Sequence, residues 1–132
     1  LKSDLSVLLD HAIDGTLDQV EAQWDRRTAL GVVLAAAGYP EAPREGDAIL
    51  GTPPAGNPAD AEALVFHAGT RLSDDGRLLA SGGRVLCVTG LGDSVKMAQA
   101  RAYAAIERIA FDGMQYRRDI GWRAVARGRK PD

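Results

Sequence analysis

Apolar positions near the start of the chain repeat with the period of a helix. Leu5, Leu8, Leu9, Ala12 and Ile13 fall at i, i+3, i+4, i+7 and i+8, which gives a helix over residues 3–14 one apolar face. Ser3 stands where a capping hydroxyl is expected, and Asp4 suits the positive end of the helix. Gly15 is a natural stop. A weaker helical turn is expected over 18–23. From Trp24 the pattern changes. Residues 30–37 form a continuous small-apolar run closed by Gly38, Tyr39 and Pro40; so short a run between turn residues reads as a buried strand.

Residues 41–62 contain Pro43, Pro53, Pro54 and Pro58 with Gly46, Gly51 and Gly56. They read as a loop-rich stretch with one short strand at 48–50. A strand over 63–72 follows, then a tight turn at Asp74-Asp75-Gly76 and a short return over 77–80. The Asp-Gly pair supports a hairpin, because glycine accepts the positive φ such turns require. Another strand is expected over 84–89, with Gly82 and Gly83 before it and Gly90 and Gly92 after it. Residues 94–110 are Ala-rich and read as a helix capped by Asp93 or Ser94. Val95, Ala98, Ala102, Ile106 and Ile109 lie along one face of it. Gly113 ends that region, 116–126 reads as extended or irregular, and 128–132 as a frayed tail. The fold expected is α+β: a small antiparallel sheet carrying one packed helix, preceded by helical structure of separate origin.

Composition bounds this picture. A chain of 132 residues can bury a core without disulfide or metal staples. A net charge of −2 asks for neither nucleic acid nor an acidic membrane. Cys87 is the single cysteine, so no intrachain disulfide can form, and the pattern suits a reducing cytoplasm. No apolar run approaches the roughly 20 residues of a membrane span. The chain begins at Leu1 without an initiator Met, as a piece of a longer protein would. Its lysines are only Lys2, Lys96 and Lys130, which limits any chemistry that needs one.

Few residues carry candidate chemistry. Arg117 and Arg118 stand first, since adjacent guanidinium forks match phosphate oxygens and stay charged at any relevant pH. Arg123, two residues past Gly121, is a third candidate. His67 lies mid-strand and reads as a partly buried structural histidine. No Cys or His cluster has metal-ligand spacing. Cys87, between Leu86 and Val88, reads as an inert core residue. Gly90-Leu91-Gly92 lacks the third glycine and the Lys-Ser/Thr pair of a phosphate loop, so it reads as a strand-to-helix turn. The Gly38-Tyr39-Pro40 turn can bring backbone near a ligand, though such turns more often only end a strand.

Four blocks in order carry a family resemblance: Leu1-Lys2-Ser3-Asp4-Leu5; Leu30-Gly31-Val32-Val33 running to Gly38-Tyr39-Pro40; Phe66-His67-Ala68-Gly69-Thr70 with Gly82-Gly83-Arg84-Val85-Leu86-Cys87-Val88-Thr89; and Tyr116-Arg117-Arg118-Asp119-Ile120-Gly121-Trp122-Arg123-Ala124. Together they resemble the C-terminal region of the phosphoribosylamine–glycine ligases, a family of ATP-grasp ligases. The resemblance implies that residues 1–23 end an ATP-grasp core, that 24–126 form the small C-terminal domain, and that 127–132 are a flexible tail. The sheet would then resemble a rudimentary hybrid motif.

The resemblance further implies a cytoplasmic enzyme. It would join glycine to 5-phosphoribosylamine through glycyl phosphate, using ATP and Mg2+ (or Mn2+) held mainly by a core that this chain lacks. The remainder of the enzyme would be the partner of this segment, and the segment alone would be inactive. Arg117 and Arg118 would hold the 5′-phosphate, with Arg123 and Lys2 as further substrate contacts and no catalytic residue or metal ligand in this piece. Lys2 enters because its block directly follows the magnesium-binding motif of the family. Two alternatives stand beside this reading: the C-terminal domain of another ATP-grasp enzyme, a carboxylase or ribonucleotide ligase, and a non-catalytic hybrid-motif interaction module. A biotinyl or lipoyl carrier would need a lysine at a hairpin tip, and the tip here is Asp74-Asp75-Gly76.

Overall fold

The computed structural model describes residues 1–53 and 62–127. Within them the chain forms helix α1 (Leu5–Ile13), a single 3-10 turn (Leu17–Gln19), strands β1 (Thr28–Ala35), β2 (Ala63–His67), β3 (Thr70–Leu72), β4 (Leu78–Ala80) and β5 (Arg84–Gly92), and helices α2 (Val95–Ile106) and α3 (Trp122–Arg127). The long strand β5 is central. It pairs antiparallel with β1 on one side and β2 on the other, while β3 and β4 form a separate hairpin. The class is α+β with antiparallel sheets and few helices, as expected.

The period-2 pattern of β1 decides which face carries the core. Leu30, Val32 and Leu34 are buried and Ala29, Gly31 and Val33 are exposed. The run was expected to be buried throughout; instead one face of the sheet is covered and the other open. On the covered side Val85, Leu86 and Val88 of β5 meet Ala98, Ala102 and Ile106 of α2, with Ile109 and Phe111 beyond the helix. A register shift between Leu34 and Ala35 lets the neighbours Val85 and Leu86 both be buried, which strict alternation forbids.

Several boundaries differ from the sequence pattern, each for a local reason. Strand β5 runs through Gly90 and Gly92 to the start of α2. A Cβ on Gly90 would press into the Ala98 carbonyl and come within 2.6 Å of the Ala102 nitrogen. These glycines are in the strand because the helix lies directly on it. The expected 63–72 strand is two strands in two sheets. It breaks at Ala68-Gly69, where the Gly69 N–H donates to the Arg84 carbonyl at 2.8 Å and its carbonyl accepts from the Ser81 N–H at 2.8 Å. A side chain at Gly69 would sit 2.9 Å from both the Arg84 carbonyl oxygen and the Gly82 Cα.

Helix α2 stops at Ile106, four residues early, because Ala110 turns to exchange backbone hydrogen bonds with Leu50. The short strand expected at 48–50 is reduced to isolated bridges, Ala48 to Leu79 and Leu50 to Ala110. The expected irregular stretch 116–126 ends in helix α3. The expectations for Pro54, Gly56 and Pro58 and for the tail from Gly128 lie outside the described residues.

At the N-terminus Asp4, rather than Ser3, caps α1, accepting from the Ser6 N–H at 2.9 Å. The Ser3 hydroxyl instead accepts from the Gln23 N–H at 2.8 Å, and the Lys2 N–H donates to the Gln23 carbonyl at 2.7 Å. The turn expected over 18–23 is shorter and earlier. No residue of α1 is buried. Leu5, Leu9 and Ile13 are exposed, Leu8 only partly covered.

Candidate functional site

The segment 114–121 is laid along the core by backbone first and side chains second. Gln115 and Ala35 exchange N–H···O bonds of 2.8 and 2.9 Å, which ties the segment to the end of β1. Tyr116 then packs at a tilt against Tyr103 of α2, ring centroids 6.4 Å apart. The Tyr103 hydroxyl donates to the Arg117 carbonyl at 2.7 Å and accepts from the Ile120 N–H at 3.1 Å. One helical turn earlier, the Gln99 side-chain amide donates to the Ile120 carbonyl at 2.7 Å. Gly121, at φ +83°, reverses the chain into α3. There the Trp122 N–H donates to the Asp119 carbonyl at 3.2 Å. The contacts move from Tyr103 to Gln99, and a Cβ on Gly121 would meet Val95 at 3.7 Å, so the segment climbs toward the N-terminus of α2.

Three of the four predicted basic residues ride on this segment or just beyond it. Arg117 forks onto Asp119, with Nε–Oδ1 at 2.9 Å and Nη2–Oδ2 at 2.7 Å. The hydrogen bonds from Arg117 hold the Asp119 carboxyl below its usual range, and the same contact raises the Arg117 guanidinium. Arg118 places its guanidinium carbon 5.3 Å from the centre of the Tyr116 ring, and no carboxylate pairs with it among the described residues. Arg123 stacks in the same way over Trp122 at 5.3 Å. A guanidinium held near a ring by cation–π attraction can still donate its N–H groups to an anion. All three arginines are exposed. Lys2 is not joined to them by any described contact. It lies at the other end of the described chain, where its charge acts on Asp25.

The remaining candidates lie apart from this segment. His67 is exposed rather than partly buried. It ends β2, with Nδ1 3.2 Å from the Thr70 hydroxyl. Cys87 is only half-buried, on the open face of the sheet, 3.7 Å from the Thr89 hydroxyl. Gly38 takes φ +77° ahead of a cis Tyr39-Pro40 bond, and Tyr39 packs over Gly83. Among the described residues no group of three His, Cys, Asp or Glu side chains is placed to hold a metal ion.

Two features escaped the sequence reading. Tyr103 was counted only as a helix residue, although its spacing of four from Gln99 marks a polar edge beside the apolar stripe. Arg101 closes one side of a cleft of about 480 Å³ beside α2, lined also by Val65, Ala105, Arg108 and Ile109. It donates to the Leu91 carbonyl at 2.7 Å and pairs with Glu62 at 2.6 Å.

The sequence profile described as phosphoribosylglycinamide synthetase, C domain, matches residues 29–123. The chain belongs to that family. A curated phosphoribosylamine–glycine ligase of Ralstonia nicotianae is 58% identical over 127 residues, covering 96% of this chain and 29% of the relative. One from Neisseria meningitidis is 55% identical over the same shares. Among solved structures, a phosphoribosylamine–glycine ligase from Thermotoga maritima superposes with a TM-score of 0.65 at 38% identity, covering 85% of this chain and 27% of that one. The chain thus spans 29% of the length of these curated relatives. Both the C-domain core, from β1 to the start of α3, and the Arg117-Arg118 pair fall inside the matched residues. Among the described residues no helix is long and apolar enough to cross a membrane.

Proposed function

We propose that this chain serves as the C-terminal segment of a cytoplasmic ATP-dependent ligase. The enzyme joins glycine to 5-phosphoribosylamine through glycyl phosphate, giving glycinamide ribonucleotide, ADP and phosphate for purine synthesis. Arg117 and Arg118 hold the 5′-phosphate of the amine substrate, with Arg123 and Lys2 as outer contacts. The observation that carries this reading is the anchoring to α2 of the turn that bears Arg117 and Arg118, through the Arg117 carbonyl and the Ile120 N–H, with both guanidinium groups exposed. Such a segment offers fixed charge to an anion at little cost in ordering. The C-domain match begins at residue 29, which leaves residues 1–23 outside it and supports assigning them to the end of an ATP-grasp core supplied by the rest of the enzyme.

Mg2+ (or Mn2+) bridging the phosphates of ATP takes one or two carboxylates besides; in the proposed enzyme these belong to the core outside this chain, and no step of nucleotide chemistry is assigned here. This chain's part is to bind and orient. The phosphate is remote from the reacting amine, and binding energy spent there positions the amine for attack. A closing domain also keeps water from a mixed anhydride. The isolated chain should show no heat of binding on titration with magnesium-ATP.

Steady-state kinetics of the full-length ligase test the clamp. Arg117→Ala and Arg118→Ala should each lower kcat/KM for phosphoribosylamine by about ten- to hundredfold, the loss of one charge-assisted hydrogen bond. The value for ATP should hardly move. Lysine at either position should recover only part, since an ammonium cannot fork. Unchanged kcat/KM for phosphoribosylamine in both alanine variants would end the proposal.

A further inference from the structure

The Tyr103 hydroxyl spans the basic turn, binding the carbonyl of Arg117 at its start and the N–H of Ile120 at its end. We infer that Tyr103 is a positioning residue for phosphoribosylamine: its hydroxyl, helped by Gln99, fixes the 117–120 turn so that Arg117 and Arg118 present their guanidinium groups together. This rests on the phosphate-clamp reading of those arginines.

Three observations converge on it. Among the described residues the turn makes no strand pairing past Gln115, so side-chain ties are what hold its backbone. The ties it has come from α2, the helix that packs on the core through Ala98, Ala102 and Ile106. Tyr103 and Gln99 are four residues apart, one turn of that helix, and so act on the segment from one face. The hydroxyl does both parts of the work, as donor to one carbonyl and acceptor from one amide. A phenyl ring at the same place keeps the packing against Tyr116 and loses both bonds. The hydroxyl uses its one proton on the Arg117 carbonyl and accepts the Ile120 N–H, so its effect on substrate passes through the turn.

The test compares Tyr103→Phe with Arg117→Ala and Arg118→Ala in the full-length ligase. Removing two neutral hydrogen bonds should raise KM for phosphoribosylamine about three- to tenfold. The kcat and the KM values for ATP and glycine should stay within experimental error. Gln99→Leu, which cuts one of the two anchors on Ile120, should move the same constant in the same direction but less. Hydrogen exchange at the Ile120 amide should accelerate in Tyr103→Phe, reporting the released turn. If the arginine variants raise KM and Tyr103→Phe does not, the positioning role is wrong while the clamp stands. If the arginine variants also leave kcat/KM for phosphoribosylamine unchanged, the clamp itself has failed. A fall in kcat for all substrates with a lowered Tm would make Tyr103 merely a packing residue, and would overturn the inference equally.

Discussion

Arg117 spends its fork on Asp119, two residues away, through bonds of 2.9 and 2.7 Å. Its neighbour Arg118 has a ring beneath it and no described carboxylate partner. The two arginines therefore bring unequal net charge to an anion.

Arg118→Ala is expected to cost more kcat/KM for phosphoribosylamine than Arg117→Ala, because Asp119 already neutralises Arg117. In an Asp119→Asn background the cost of Arg117→Ala should rise, giving a non-zero coupling in a double-mutant cycle. Additive effects would show that Asp119 plays no part in the charge presented.

At Gly90 strand and helix lie so close that an added Cβ would meet the backbone of Ala98 and Ala102. Gly90→Ala should destabilise the fold by about 1–3 kcal/mol or more, since a methyl group there has to displace the backbone of α2 rather than a flexible side chain. Chemical denaturation reads this directly. Gly46→Ala makes the useful comparison, since a Cβ there meets nothing within 4 Å although φ is +90°. It should show only the smaller penalty of the positive φ.

Acid should weaken the fold through exposed carboxylates. Hydrogen bonds from Arg27 hold Asp25 well below its usual 3.8. Ser73 and then Arg77 lower Asp75, and Arg117 lowers Asp119. A carboxyl depressed in the folded state stabilises it above the unfolded value and loses that effect as pH falls through the folded one. Tm should therefore be level through the neutral range and begin to fall near about pH 4, the unfolded carboxyl value. The pairs are exposed, so each contributes little. Asp25→Asn should make the acid limb shallower in melts recorded across that range; an unchanged limb would remove Asp25 from the account.

The apolar face of α1 has no cover among the described residues. Leu5, Leu9 and Ile13 are 58%, 54% and 81% exposed, with Trp24 at 67% close behind in the chain. The isolated chain should self-associate through this face, and sedimentation at rising concentration should show it. Leu9→Glu with Ile13→Glu should suppress association and leave the melting of the sheet domain within about 0.5 kcal/mol, as for other exposed positions. Association that survives the double change would move attention to Val33 and Phe66 on the open face of the sheet.

Periodicity placed α1 and the inward face of α2, and local turn chemistry placed the hairpin turn at Gly76 and bounded the central strand. Those features depend on neighbours within a few residues, and spacing records them. Arg117 and Arg118 stand out locally as adjacent guanidinium groups, and the family resemblance is what suggests phosphate as their ligand. What spacing could not record is contact between distant segments. Gly90 and Gly92 read as a turn because nothing near them in sequence says that Ala98 will lie on top. The split of 63–72 into two strands depends on Gly82 and Arg84 crossing at Gly69. The early end of α2 depends on Leu50, some sixty residues upstream. The hold on the basic turn depends on a hydroxyl and an amide donated by a helix that had been read only for its apolar side. Local preference set what each segment can become, and tertiary packing chose where each one stops and which face of it works.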